Sequence, residues 1–469
     1  MGISSIGIGS GIDVESLISK MTALEQQPLT GLIKKAAAIQ SQVSVVGQIK
    51  SQVSALAAAA DKLALAGSWT GVTVGSSNSS AVTGTATAGT APTSFSMNVQ
   101  QLAQAQSTSS TAVAAGTALG TGSLSIAIGT WNYAAVPPAF TPGTAAAVNV
   151  TIGVGEDNLS TIATKINAAN AGVTATVLQD VSGQRLLVRS NATGEAAGFQ
   201  IKTTGAAGLA SLAFDPSAGA TGMAANAYQK GLNMQATINS IAVSSANNQL
   251  AGTIPGVTLQ VATTTTSPVT VTVANDTASM QKNVQDFVAS YNALNQTLMD
   301  ATKYDAASKT AGPLQGDSII VGLQNALRSL LGSSSVGSTF SRLADVGLNV
   351  QRGGIMTIDS TKLSAAMQDP TNLQKFFNAN NSNAQTNGFG LKVSGFLNGL
   401  LAADGSLSNE TTSLQTSLKK NSKDQDAINT RVAQLDKRLR QQYTALDTKM
   451  AGLTALNSYI TQQVTQWNK

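Results

Sequence analysis

The 469-residue chain contains no cysteine and no histidine. That excludes disulfides, thiolate nucleophiles, zinc sites of the usual Cys/His kind and every mechanism that uses imidazole as a base. Aromatic residues make up 4% of the sequence, so its cores must be built mainly from Ala, Val, Leu and Ile. No apolar run approaches the roughly 18 residues of a membrane-spanning helix. No basic segment leading into an apolar one opens the chain, so a cleaved secretory signal is not expected. The start Met1-Gly2-Ile3-Ser4-Ser5-Ile6 also departs from the myristoylation pattern, which requires Ser or Thr where Ile6 stands. A cysteine-free chain fits a reducing cytosol and equally fits export in an unfolded state.

Enzymatic signatures are missing as well. Gly7-Ile8-Gly9-Ser10-Gly11-Ile12 has the look of a dinucleotide loop, but Ile12 stands in place of the third glycine and no strand precedes it. There is no Walker A motif, and nothing in the spacing of Ser, Lys, Asp or Glu recommends a Ser–Lys or paired-carboxylate site. Neither catalysis nor a cofactor is expected. The net charge of +5 comes from 28 basic and 23 acidic residues spread thinly, with no Lys/Arg run longer than two. A nucleic-acid interface is therefore not expected either.

What is present is 42% hydrophobic residues over a length too great for one core, which predicts three or four domains. Between Lys62 and Glu156 there is no charged residue at all, and the stretch is dense in Ser, Thr, Gly and Ala. Such a composition alone reads as a linker. Period-two alternation argues for half-buried strands instead, at Phe95-Met97-Val99, Leu124-Ile126-Ile128 and Val148-Val150-Ile152-Val154. A short helix follows, capped by Asp157 or Asn158, and further strands are predicted over 173–178, 185–189, 199–202, 236–238, 257–261 and 269–273. From Met280 the period becomes helical (Val284, Phe287, Val288, Tyr291, Leu294, Leu298). Asp317 and Asp359 are predicted caps of two further helices, the second ended by Asp369-Pro370, with a short β pair between them over 346–358.

The two ends carry the strongest pattern. Ser10-Gly11-Ile12-Asp13 fits a capping box opening a helix with Val14, Leu17, Ile18, Met21 and Leu24, and Pro28 predicts a break followed by a second helix. Leu32, Ile39, Val46, Val53 and Ala60 then recur every seventh residue. So do Val432, Leu439, Leu446, Leu453, Ile460 and Trp467. Heptads held over such lengths predict coiled-coil packing. The inner segments can join an internal core, whereas little sequence remains to cover the outermost ones. An assembly interface is thus expected at Val14, Leu17, Met21, Leu32, Ile39, Leu439, Leu446, Leu453, Ile460 and Trp467. Because isolated helices are marginal in water, these ends are expected to be mobile in a free monomer and to order on assembly. The fold class read from these patterns is multidomain α+β. Terminal helices pair as a coiled-coil leg (1–42 with 429–469), beside a mainly helical domain (43–70 with 279–428). Two β-rich head modules lie between (71–112 with 230–278, and 113–229).

The opening Ser5-Ile6-Gly7-Ile8-Gly9-Ser10-Gly11-Ile12-Asp13-Val14, with Glu25 and Pro28-Leu29, resembles the N-terminus of the bacterial flagellar filament cap family, also called hook-associated protein 2. Residues 148–200 resemble a module shared among flagellar hook proteins. Ile254–Leu259, Phe287–Leu294, Leu314–Asp317 and Leu343–Leu348 fit the same family in order. The resemblance implies a homo-oligomer, commonly of five copies with four or six as alternatives, at the extracellular tip of the flagellum. It implies flagellin and the hook–filament junction proteins as partners, and export by the flagellar type III apparatus with a chaperone. Nucleic acid and membrane insertion are not implied. A surface adhesin binding glycans or mucin through the Ser/Thr/Asn-rich head is the alternative.

Overall fold

The computed structural model describes residues 13–467. Its α-helices are α1 (Val14–Ala64), α2 (Leu159–Ala168), α3 (Thr277–Thr302), α4 (Ser318–Leu331), α5 (Ser360–Ala366), α6 (Pro370–Asn378), α7 (Phe389–Leu401) and α8 (Ser406–Trp467). The chain forms two compact units. One joins the residues up to Trp69 with those from Thr277 onward, and the other is Thr70–Asp276.

The terminal unit is built on α1 and α8, of 51 and 62 residues, or about 75 and 90 Å at 1.5 Å per residue. Asp13 starts α1, its Oδ1 accepting the Ser16 N–H at 3.0 Å. Ser10, expected in that role, lies outside the described residues. The expected break at Pro28 does not occur: α1 runs through it. Pro28 is exposed, so the carbonyl it leaves unpaired can turn to water. Packing against α8 on both sides of the proline splints the helix. The inner half of α1 buries Val46, Ile49, Val53, Leu56, Ala60 and Leu63 against residues of α3, α4, α6 and α7. Trp69 closes this core, stacked on Phe377 at 4.7 Å with its indole N–H donated to the Leu63 carbonyl at 2.8 Å. Asp317 and Asp359 cap α4 and α5 as predicted, while Pro370 opens α6 under an Asp369 cap as well as ending what precedes it. The hairpin of Leu348–Val350 with Met356–Ile358 is fastened to α3 by Asn292, which both donates to and accepts from the Met356 backbone at 2.8 Å. The start of α6 is signalled by Asp369-Pro370, which in the sequence alone reads only as a stop, and α7 opens on Gly388 with no capping side chain.

The second unit is β-rich, and the uncharged stretch lies mostly within it as folded strands. A five-stranded antiparallel sheet has the order Val72–Ser76, Val269–Asn275, Thr93–Gln101, Met234–Ile238, Ile241–Ser245. A three-stranded sheet (Gln249–Ile254, Val257–Val261, Val82–Ala86) shares its core of Phe95, Met97, Val99, Val257, Leu259, Val271 and Val273. The alternation of apolar residues at period two places this set on one face. A second core, with Leu124, Ile126, Ile162, Ile166, Leu186, Val188, Phe199 and Phe214, joins α2 to two further sheets. One is centred on Gly122–Asn132 and the other on Gly183–Ser190. Asn158 rather than Asp157 caps α2, its Oδ1 accepting the Thr161 N–H. Val154 does not extend its strand: pairing ends at Ile152. Val154 is then 93% exposed in a turn closed by the Glu156 N–H on the Gly153 carbonyl. Glu156 also pairs with Lys165 and accepts the Gly153 N–H, and these contacts hold its carboxyl below the ordinary range.

Candidate assembly surface on the terminal helices

Helices α1 and α8 run antiparallel. Arg440 grips Glu15 with both guanidinium ends (2.8 and 2.7 Å) and also donates to Asp436 at 2.9 Å, while Arg431 meets Glu25 at 3.1 Å. As residue numbers rise on α1 they fall on α8. The hydrogen bond from Arg440 lowers the Glu15 carboxyl below its ordinary value and raises the guanidinium above its own. The apolar contacts of this leg are thin. Val14, Ile18 and Leu439 form one small buried cluster, edged by Leu435 and Tyr443, and Ile39 and Ile428 are buried further in.

The ten residues expected to form an interface divide at the first described residue of α1. Val14, Ile39 and Leu439 are covered within the chain at 1%, 7% and 6% exposure, so they hold the leg together rather than lying open to a partner. Leu32 is half-buried. Leu17 and Met21 are exposed on the flank of α1. Beyond Tyr443, α8 passes the first described residue of α1, and everything apolar on it is open: Leu446, Leu453, Ile460 and, at 82%, Trp467. Met450, Leu456, Tyr459 and Val464 are exposed there too, widening the heptad row into a stripe at three- and four-residue spacing. Leu24 and Ile33 add exposed apolar surface on α1. The two ion pairs across the leg carried no signal in the sequence, since Glu15, Glu25, Arg431 and Arg440 meet only once the antiparallel register is set.

An apolar stripe at this spacing, flanked mainly by Thr, Gln, Asn and Ser, is a surface for another helix. No group of three or more metal-ligating side chains occurs among the described residues, and no described helix is long and apolar enough to cross a membrane. One buried lysine invites a nucleophile reading. Lys392, 8% exposed, donates to Ser333 Oγ at 2.9 Å and the Ser334 carbonyl at 2.7 Å, and burial lowers its pKa. Ser333 spends its own proton on the Leu330 carbonyl at 2.7 Å. The group is therefore a clamp on the C-terminal end of α4 and not an activated hydroxyl.

Comparison with known proteins gives a consistent result. The family model for the flagellar hook-associated protein 2 N-terminus matches residues 10–106, that for the C-terminus matches 231–455, and the flagellin hook IN motif matches 140–192. Flagellar hook-associated protein 2 of Escherichia coli O157:H7 is 28% identical over 472 residues, covering 98% of each chain. The B-type protein of Pseudomonas aeruginosa is 28% identical over 98% of this chain and 95% of its own. The crystal structure of the D1-D2-D3 domains of the flagellar cap protein from Escherichia coli superposes with a TM-score of 0.59 at 26% identity. It covers 79% of this chain and 99% of that one.

Proposed function

The chain belongs to the flagellar hook-associated protein 2 family and is a filament cap protein; from that membership we propose that the open stripe on α8 is how it docks at the growing tip. In this reading residues 1–42 and 429–469 form a docking leg and 43–70 with 279–428 a helical second domain. Residues 71–112 with 230–278, and 113–229, form the head. Several copies, five in the favoured arrangement, sit on the filament end and shelter exported flagellin while it folds and inserts. The leg meets axial partners such as the hook–filament junction proteins, and the chain reaches the tip through the flagellar export apparatus with an export chaperone. No catalytic step is required. The observation that carries the docking role is the run of exposed apolar residues from Leu446 to Trp467, placed beyond the first described residue of α1. None of the comparisons points to the adhesin alternative.

The test is Leu446→Asp with Leu453→Asp. Both side chains are open in the single chain, so the fold and its thermal unfolding should be unchanged. Cells carrying the variant should release flagellin monomers and lack filaments. Wild-type motility would overturn the docking assignment.

A further inference from the structure

The inward face of α8 is apolar at every seventh residue but one. Leu407, Leu414, Ile428 and Leu435 hold the row, and Asn421 stands in its middle. Asn421 is 3% exposed. Its Oδ1 accepts from Gln425, one turn along the same helix, at 2.6 Å, and its Nδ2 finds no acceptor. A buried donor left unmade costs free energy that a leucine of similar size would not. The register across the leg explains the orphan. The Glu15–Arg440 and Glu25–Arg431 pairs, with Lys50 donating to Ser408 at 3.2 Å, place Asn421 across from Lys35 and Ala36. An ammonium only donates and a methyl does neither, so α1 brings that amide no acceptor side chain.

The amide divides the row. Inward of it, Leu407 is buried in the core that α3, α4, α6 and α7 share, and Leu414 packs against that core. Outward of it, the buried apolar residues are Ile428 and Leu439 on α8 and Val14 and Ile18 on α1. The two ion pairs there are partly exposed, and exposed pairs contribute little. A polar residue in an apolar seam trades stability for control of pairing, and local opening begins where few apolar contacts resist it. We propose that Asn421 is a joint. From it outward α1 and α8 part as one unit while the inner core stays closed, and this opening precedes docking. Parting uncovers Val14, Ile18 and Leu439, which extend the open stripe over 446–467 toward the core. The inference rests on the docking reading and adds the step that regulates it.

Asn421→Leu removes the unmade donor and leaves Gln425, which is half-buried, to water. In the full chain it should slow amide exchange over 14–35 and 422–440 together by about tenfold or more, with 46–63 unchanged. Exchange that stays the same, or slows only beside residue 421, would overturn the joint. Faster exchange would overturn it too, by showing that the amide fixes the register of the leg. A chain without cysteine also permits a lock. Val14→Cys with Leu439→Cys, in one buried cluster, should close the leg on mild oxidation and free it on reduction. Purified protein is then added to cells that lack this chain and shed flagellin. The wild-type chain and the reduced variant should restore filaments and the oxidised variant should not, with the same circular dichroism spectrum for all three. Filaments restored equally well by the oxidised variant would sink the opening step and leave the docking reading standing. If the wild-type chain restores none, the docking reading falls, and the exchange measurement alone decides whether the joint exists.

Discussion

The inner and outer halves of the terminal helices carry the same heptad spacing and meet opposite fates. On α1, Val46, Val53 and Ala60 are fully buried, because α3, α6 and α7 pack around that half. On α8, Leu446, Leu453 and Ile460 repeat the spacing and stay open, because no described helix reaches them. Periodicity therefore says that a face is apolar but not what covers it. Cover is decided by where other elements fall, and only the folded chain shows that.

The contrast can be broken most forcefully at its buried end. Trp69→Ala removes a stacked, fully buried ring and its hydrogen bond to the Leu63 carbonyl. It should cost about 3–5 kcal/mol, read as a lowered denaturant midpoint for the terminal unit. A loss below 1 kcal/mol would mean that the inner core is looser than its packing shows. Pro28→Ala should act on the outer half in the opposite direction, stabilising the leg by up to about 3 kcal/mol. Amide exchange between Leu24 and Ile39 would slow if this is right and stay unchanged if water already satisfies the freed carbonyl. Leu446→Asp with Leu453→Asp, damaging in the tip assay, should shift monomer stability by no more than about 0.5 kcal/mol.

Much of the architecture was legible because it depends on local signals. Asp317, Asp359 and Asn158 cap helices by chemistry that acts within three residues, and Phe95, Met97 and Val99 declare a strand by alternation despite a linker-like composition. What failed depended on distant partners. Pro28 was expected to break α1, but α8 splints it through contacts some 400 residues away in sequence. Val14, Ile39 and Leu439 are indistinguishable in sequence from the open positions, because the antiparallel register that covers them is set by both helices together. Asn167 is a similar case: it accepts the Ala175 N–H and donates to the Ala175 carbonyl, both at 2.8 Å, and looks like an ordinary polar residue until that backbone lies opposite it.

The smallest effect separates the two ends of α8 by pH. At the outer end the Arg440 hydrogen bond lowers the Glu15 carboxyl below 4.5. Its contribution is complete above that ordinary value and is lost as pH falls through the lower folded one. At the inner end, burial and then the neighbouring Asp317 raise the Glu410 carboxyl above 4.5. Its ionised form is thus a cost at neutral pH, relieved as pH falls through the raised value. Acidification should first slow amide exchange around residues 406–414 and only at lower pH speed it around 13–25. Glu410→Gln should abolish the first change alone, and Glu15→Gln the second alone. High salt should erase the outer response, since that pair is exposed. If the two ends loosened together, the leg and the core would be one cooperative unit, and the division between covered and open halves would not hold.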